Sequence, residues 1–99
     1  MKVSLTREAR NDLEGIADHI AADSPRRARS FVSELVEAAR GIGRTPRAYP
    51  VVPRYAGVEI RRRVHGAYLI FYRVDVEVVT ILHILHGARD YEALLFPEG

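Results

Sequence analysis

Between residues 42 and 58 the hydrophobic pattern of this chain changes its period, and that change limits the available folds more than any other feature. Before it, Ala9, Leu13, Ile16, Ala17 and Ile20 recur at the spacing of one stripe on an amphipathic helix. Ala28, Phe31, Val32, Leu35, Val36, Ala39 and Ile42 repeat that arrangement on a second helix. After it, VEIRRRVH (58–65), AYLIFYRV (67–74) and EVVTILHILH (77–86) are rich in β-branched and aromatic residues, with short turn signals between them. These read as three strands of an antiparallel meander. Neither block can bury its apolar side alone, so the helices must cover one face of the sheet.

The boundaries carry their own signals. Thr6 is a good N-cap and Glu8 falls in the first turn, so a helix should begin there and stop near Asp23. Ser24 and Pro25 suit the N-cap and first position of the second helix, and Gly41 and Gly43 mark its end. So short a connection makes the two helices a hairpin. RTPRAYPVVPRYAG (44–57), with its three prolines, reads as a loop crossing from helices to sheet. KVSL (2–5) is a short strand placed to join that sheet. The expectation is one α+β domain over residues 1–99, in the order β-α-α-β-β-β.

Composition removes several classes of function. Ninety-nine residues leave no second domain to hold a cofactor, and the chain has no cysteine, which excludes disulfides, thiol nucleophiles and thiolate metal sites. The first ten residues lack a signal-peptide apolar run, and no stretch approaches the ~20 apolar residues of a membrane span. The formal charge is only +2, though every basic residue except Lys2 is an arginine. Arginine favours forked contacts to carboxylate or phosphate, and equally serves as a solvated surface.

Few residues could carry chemistry. His83 and His86 stand an odd number of residues apart, so an unbroken strand would turn them to opposite faces and deny them a common metal. His19 borders the first apolar stripe, and His65 reads as a turn residue. The serines lie at helix starts or within a helix, without a nucleophile elbow, and no phosphate-binding loop or dinucleotide fingerprint is present. Arg61 and Arg63 share one face of their strand and Arg62 takes the other. A fully covered central strand would bury at least one unpaired charge, so this strand should have an open face or lie at an edge. These arginines either protect that edge from aggregation or present an open guanidinium-bearing face to an acidic peptide or RNA phosphates. Arg89, after the glycine that ends the last strand, is aimed at the same region or paired with Asp90 or Glu92. Tyr68, Phe71 and Tyr72 read as core aromatics rather than a stacking platform. The tail YEALLF (91–96) should pack on the sheet or leave a patch for a partner.

In order and spacing, LTREARNDLEGIADHIAADSPRRARSFVSELVEAA, EIRRRVHGAYLIFYRV and ILHILHGARDYEALL together resemble the ParE branch of the RelE/ParE family of bacterial toxin–antitoxin modules. The resemblance implies a helical hairpin on a small antiparallel sheet and a cytoplasmic, cofactor-free toxin associated with plasmid stabilisation. It also implies inhibition by a cognate antitoxin in a heterotetramer or larger complex, with DNA reached only through that antitoxin. ParE-like members poison DNA gyrase by binding, without chemistry of their own. RelE-like members cut mRNA on the ribosome, using basic sheet residues, an arginine soon after the middle strand's tyrosine, and commonly a C-terminal tyrosine. Arg61, Arg63 and Arg89 approximate part of that set. Leu69, however, follows Tyr68 where the arginine is wanted, and Leu95 lies near the expected tyrosine. His83 or His86 would then have to act as acid or base. Many ParE-like sequences have an arginine near His83, a point at which this chain departs.

The resulting expectation is a gyrase-binding toxin, with a ribosome-dependent mRNA endoribonuclease as the alternative. Arg61, Arg63, Arg89, His83, His86, Leu94, Leu95 and Phe96 are the candidates for contacting target or antitoxin. The antitoxin's C-terminal segment is expected to wrap the hairpin and the sheet.

Overall fold

Both helix starts form as their caps dictate. Thr6 Oγ1 accepts the Ala9 N–H at 3.1 Å, and Ser24 Oγ accepts the Arg27 N–H at 3.2 Å with Pro25 in the first turn. The computed structural model describes residues 1–52 and 59–95, in the order β1 (Lys2–Leu5), α1 (Arg7–Ala21), α2 (Pro25–Ile42), β2 (Ile60–His65), β3 (Tyr68–Val74), β4 (Val78–His86) and α3 (Glu92–Leu95). Only Ala22, Asp23 and Ser24 separate α1 from α2, which makes the hairpin. The last part of the expected 44–57 loop lies outside the described residues.

β2, β3 and β4 form the expected antiparallel meander. Gly66, at φ 58°, and Ala67 make a two-residue β2–β3 turn, a place where only glycine takes positive φ without strain. His65 is therefore the last residue of β2, paired with Tyr68, rather than a turn residue. β1 adds to the far side of β4 in parallel, Lys2 opposite Val78 through Leu5 opposite Ile81. The sheet is thus mixed, in the order β1-β4-β3-β2. A parallel neighbour requires a long crossover, which the helical hairpin begins. β2 is at an edge, one of the two placements its three arginines left open.

Alternation along the strands then divides the apolar residues between two faces. Ile70, Tyr72, Val79, Ile81 and Ile84 meet Leu13, Ile16, Phe31, Leu35 and Ile42 of the helices in the main core. Val52, Ile60, Leu69, Phe71 and Leu85 form a second cluster, against which Leu82, Tyr91 and Leu95 pack. The tail therefore returns to the sheet, since the second face is too apolar to leave in water.

Tyr72 joins the main core to the segment after α2. It is fully buried, yet its hydroxyl donates to Pro46 O at 2.7 Å. Burial pushes its phenol above the ordinary value of 10.0. The folded chain then keeps the Tyr72 proton where the unfolded chain loses it, so stability falls as pH rises through about 10. Chemical denaturation at stepped alkaline pH should give a shallower decline for Tyr72→Phe than for the parent. Near neutrality that variant should lose about 1 kcal/mol with its hydrogen bond. Equal alkaline slopes would remove Tyr72 as the cause.

Candidate functional site

Arg61 and Arg63 share a face, but it is the face that carries the helices. Arg61 donates to Tyr49 O at 2.7 Å and Arg47 O at 3.1 Å, and pairs with Glu59 at 2.7 Å. Its side chain is only 14% exposed. Arg63 donates to Ala38 O at 2.7 Å, and its guanidinium lies 5.1 Å from the Tyr49 ring centre. A Cβ at Gly41 would come within 3.1 Å of Arg63 Nη1, so the glycine near the end of α2 makes room for this contact. The two guanidiniums tie residues 47–49 and the end of α2 to the edge strand. Arg62, on the other face, reaches the Tyr91 hydroxyl at 3.3 Å. The open guanidinium-bearing face expected from the sequence is not formed, because the helices, the 44–52 segment and the tail cover both sides. At the far end of β2, Glu34 binds Arg27 at 2.9 Å and His65 at 3.3 Å. Those contacts, Arg27's hydrogen bond first, hold its carboxyl below the usual range.

His83 lies at an irregularity that the strand pattern does not announce. Phe71 pairs with His83 but Tyr72 with Ile81, so Leu82 is an extra residue in β4 and forms a bulge. The start of α1 fits into it. Ile81 O accepts the Thr6 N–H at 3.1 Å, and Leu82 O accepts the Thr6 hydroxyl at 3.0 Å. Asp12 Oδ2 accepts the Ile84 N–H at 2.9 Å and His83 Nδ1 at 2.8 Å. With Nδ1 donating to this carboxylate, His83 has one ring nitrogen committed to the fold. The bulge also inverts the strand's parity: Val79 and Ile81 face the helices before it, and Ile84 does so after it. Both histidines follow the bulge, in a ladder that is regular from His83 to His86, so their odd spacing still turns them to opposite faces. Among the described residues, no group of three or more His, Cys, Asp or Glu could hold a metal.

The two histidines line separate hollows. His83 joins Thr6, Glu8, Leu82, Leu94 and Leu95 around a small one of about 250 Å³. His86 and Arg89 line an open cleft of about 450 Å³ between α1 and the end of β4, with Tyr68 beside them and Asn11, Gly15 and His19 along the helix. His19 is exposed in this cleft rather than set at the core border. The eight candidates thus divide: Arg61 and Arg63 at the β2 edge, His86 and Arg89 in the cleft, and His83, Leu94 and Leu95 in the small hollow. Phe96 lies outside the described residues. A third, mostly apolar groove of about 510 Å³ runs between the helices along Ala17, Ala21, Ala28 and Val32.

This arrangement can be set beside known proteins. The ParE toxin family of the parDE type II toxin–antitoxin system matches residues 3–91. The chain belongs to that family. Among solved structures, this ParE-family fold is similar to the chromosomal ParDE toxin–antitoxin system of P. aeruginosa, at 24% identity and a TM-score of 0.72 over 87% of this chain and 95% of that one. It is also similar to the RelBE2 toxin–antitoxin complex of Mycobacterium tuberculosis, at 32% identity and a TM-score of 0.60 over 86% of this chain and 95% of that one. No curated protein matches it.

Within the ParE-family frame, sequence reading missed Asp12, Asn11 and Gly15. A signal for them was present. Asn11, Gly15 and His19 fall at i, i+4 and i+8, one row beside the apolar stripe of α1, and Asp12 interrupts the stripe's border next to Leu13. What these rows face is decided only when α1 lies on β4.

Proposed function

We propose that this ParE-family toxin acts in the cytoplasm by binding DNA gyrase and trapping its DNA-cleaving cycle, and that a cognate antitoxin neutralises it. The observation that carries this reading is the use made of Leu69 and Leu95. Leu69 is buried in the second core cluster and Leu95 packs against the same cluster. At these two positions an RNA-cutting relative would want an arginine and a tyrosine, groups that stabilise charge and move protons; here both side chains serve packing. Arg61 and Arg63 are likewise engaged by carbonyls and by Glu59. Arg89, His86 and the half-exposed Leu94 remain as surface available to a target. The apolar groove between α1 and α2 suits an amphipathic antitoxin segment, and both similar structures are of toxin–antitoxin assemblies.

A second reading, mRNA cleavage on the ribosome, is favoured by one observation: Tyr68, His86 and Arg89 line the same cleft. One pair of assays separates the two. Purified toxin should inhibit gyrase supercoiling in a dose-dependent way and accumulate cleaved plasmid, while ribosome-bound mRNA stays intact. Expression without antitoxin should give filamentous cells and a DNA-damage response. Cleaved mRNA with unaffected gyrase would reverse the assignment.

A further inference from the structure

We propose that the cleft between α1 and the end of β4 is a binding site for a phosphate-class oxyanion, with Arg89 and His86 as its principal donors. The site uses two residues that the gyrase reading leaves open to a target but does not rest on that reading, and its test uses no gyrase.

The first argument is the balance of polar groups. Arg89 carries a guanidinium, each histidine offers a ring N–H, and the amide of Asn11 adds a neutral donor. Against Arg89, His86 and His19 stands one lining carboxylate, Asp12, and its Oδ2 already accepts from Ile84 N–H and His83. The excess of donors over free acceptors, around a cationic guanidinium, matches an anion with several oxygens.

The second argument is the state of the two principal donors. His86 Nδ1 accepts the Ala88 N–H at 3.1 Å, so the ring hydrogen sits on the remaining nitrogen, Nε2. That backbone contact makes His86 a donor on its free side. Arg89 is exposed, and its guanidinium has no hydrogen bond or ion pair among the described residues. Arg61 and Arg63, by contrast, are each bound within the chain through their Nη atoms. A guanidinium fork beside a fixed imidazole donor is suited to two oxygens of one phosphate.

Gly15 supplies a third, independent observation. A glycine inside a helix disfavours that helix, and here a Cβ would meet nothing within 4 Å. Among the described residues no neighbour requires the glycine. The space it leaves opens on the cleft and lets a ligand approach the helix backbone closely.

The test follows two probes, inorganic phosphate and a 5′-phosphorylated thymidine dinucleotide, by amide and imidazole NMR shifts on the full chain. Saturable shifts at Gly15, His86 and Arg89 are expected. Arg89→Ala should weaken binding roughly tenfold, as expected for loss of a charge-assisted fork. Arg89→Lys, which keeps the charge but not the fork, should fall between the parent and Arg89→Ala, and Arg26→Ala on α2 should leave the affinity unchanged. Gly15→Leu, which preserves helix propensity while filling the cleft, should also weaken binding. Tighter binding of the dinucleotide would assign the site to a nucleic-acid phosphate, and equal binding to a free phosphate group. Should Gly15→Leu fail to fold, the Arg89 pair still decides. No saturable binding of either probe, or an affinity indifferent to Arg89→Ala, overturns the proposal.

Discussion

Replacing Asp12 by alanine is expected to destabilise this protein by about 3 kcal/mol, because one carboxylate oxygen satisfies two groups in the β4 bulge. Ile84 is nearly fully buried, so its N–H would lose the Asp12 oxygen 2.9 Å away with little water to replace it. Stranding such a donor costs roughly 1–3 kcal/mol on its own. His83, 17% exposed against 16% for Asp12, would lose its 2.8 Å partner as well. Hydrogen bonds to a charged group are worth about 1.5–3 kcal/mol, which makes the second loss comparable to the first. In a domain of this size the total corresponds to a fall in Tm of about 12–24 °C. Asp12→Asn keeps one carbonyl acceptor and should lose less than the alanine variant. Denaturant melts of the three proteins measure both differences. A shift below about 1 kcal/mol for Asp12→Ala would mean that water replaces the carboxylate and that the bulge does not depend on it.

Phe71→Ala should cost more, about 3–5 kcal/mol, and should also release the tail. Phe71 is fully buried in the second cluster, on a central strand flanked by β2 and β4, so its cavity cannot collapse easily. Its ring lies 4.9 Å from that of Tyr91. Tyr91 O accepts the Leu94 and Leu95 N–H groups at 3.1 and 2.9 Å, so the ring contact anchors the single turn that presents both leucines. Hydrogen exchange at these two amides should therefore accelerate in Phe71→Ala. Tyr91→Ala provides the separation: it should accelerate the same amides with a smaller loss of global stability, since Tyr91 is only half-buried. If Phe71→Ala destabilised the fold while leaving the tail amides protected, the second cluster would not be what holds α3. The functional consequence concerns Leu94, 38% exposed, whose presentation to any partner depends on that anchoring.

These two residues also mark how far the sequence could be read. The helices were legible because their determinants are local: the Thr6 and Ser24 caps act within three residues, and the apolar stripes repeat every turn. The strands were legible by their alternation, and the cost of burying Arg61, Arg62 and Arg63 narrowed β2 to an open-faced or an edge strand, of which the fold took the edge. Pairing of β1 with the sheet was legible, but its parallel sense was not, because direction depends on how the hairpin carries the chain across the sheet. The candidate site was legible only as residue types. Arg61 and Arg63 looked available because nothing local shows that carbonyls from residues 38, 47 and 49 would take their donors. His83 and His86 were legible as opposed, because the ladder is regular from one to the other. The bulge just before His83 was not legible: it is held by Thr6 and Asp12, whose contacts with β4 span 71 to 76 residues of sequence. Contacts of that range leave no periodic trace, since each is a single hydrogen bond formed after α1 has docked. Local propensity and burial pattern therefore determined the elements and their order, while docking of α1 on β4 decided which group His83 binds, and the long-range carbonyls decided which of the candidate guanidiniums are occupied.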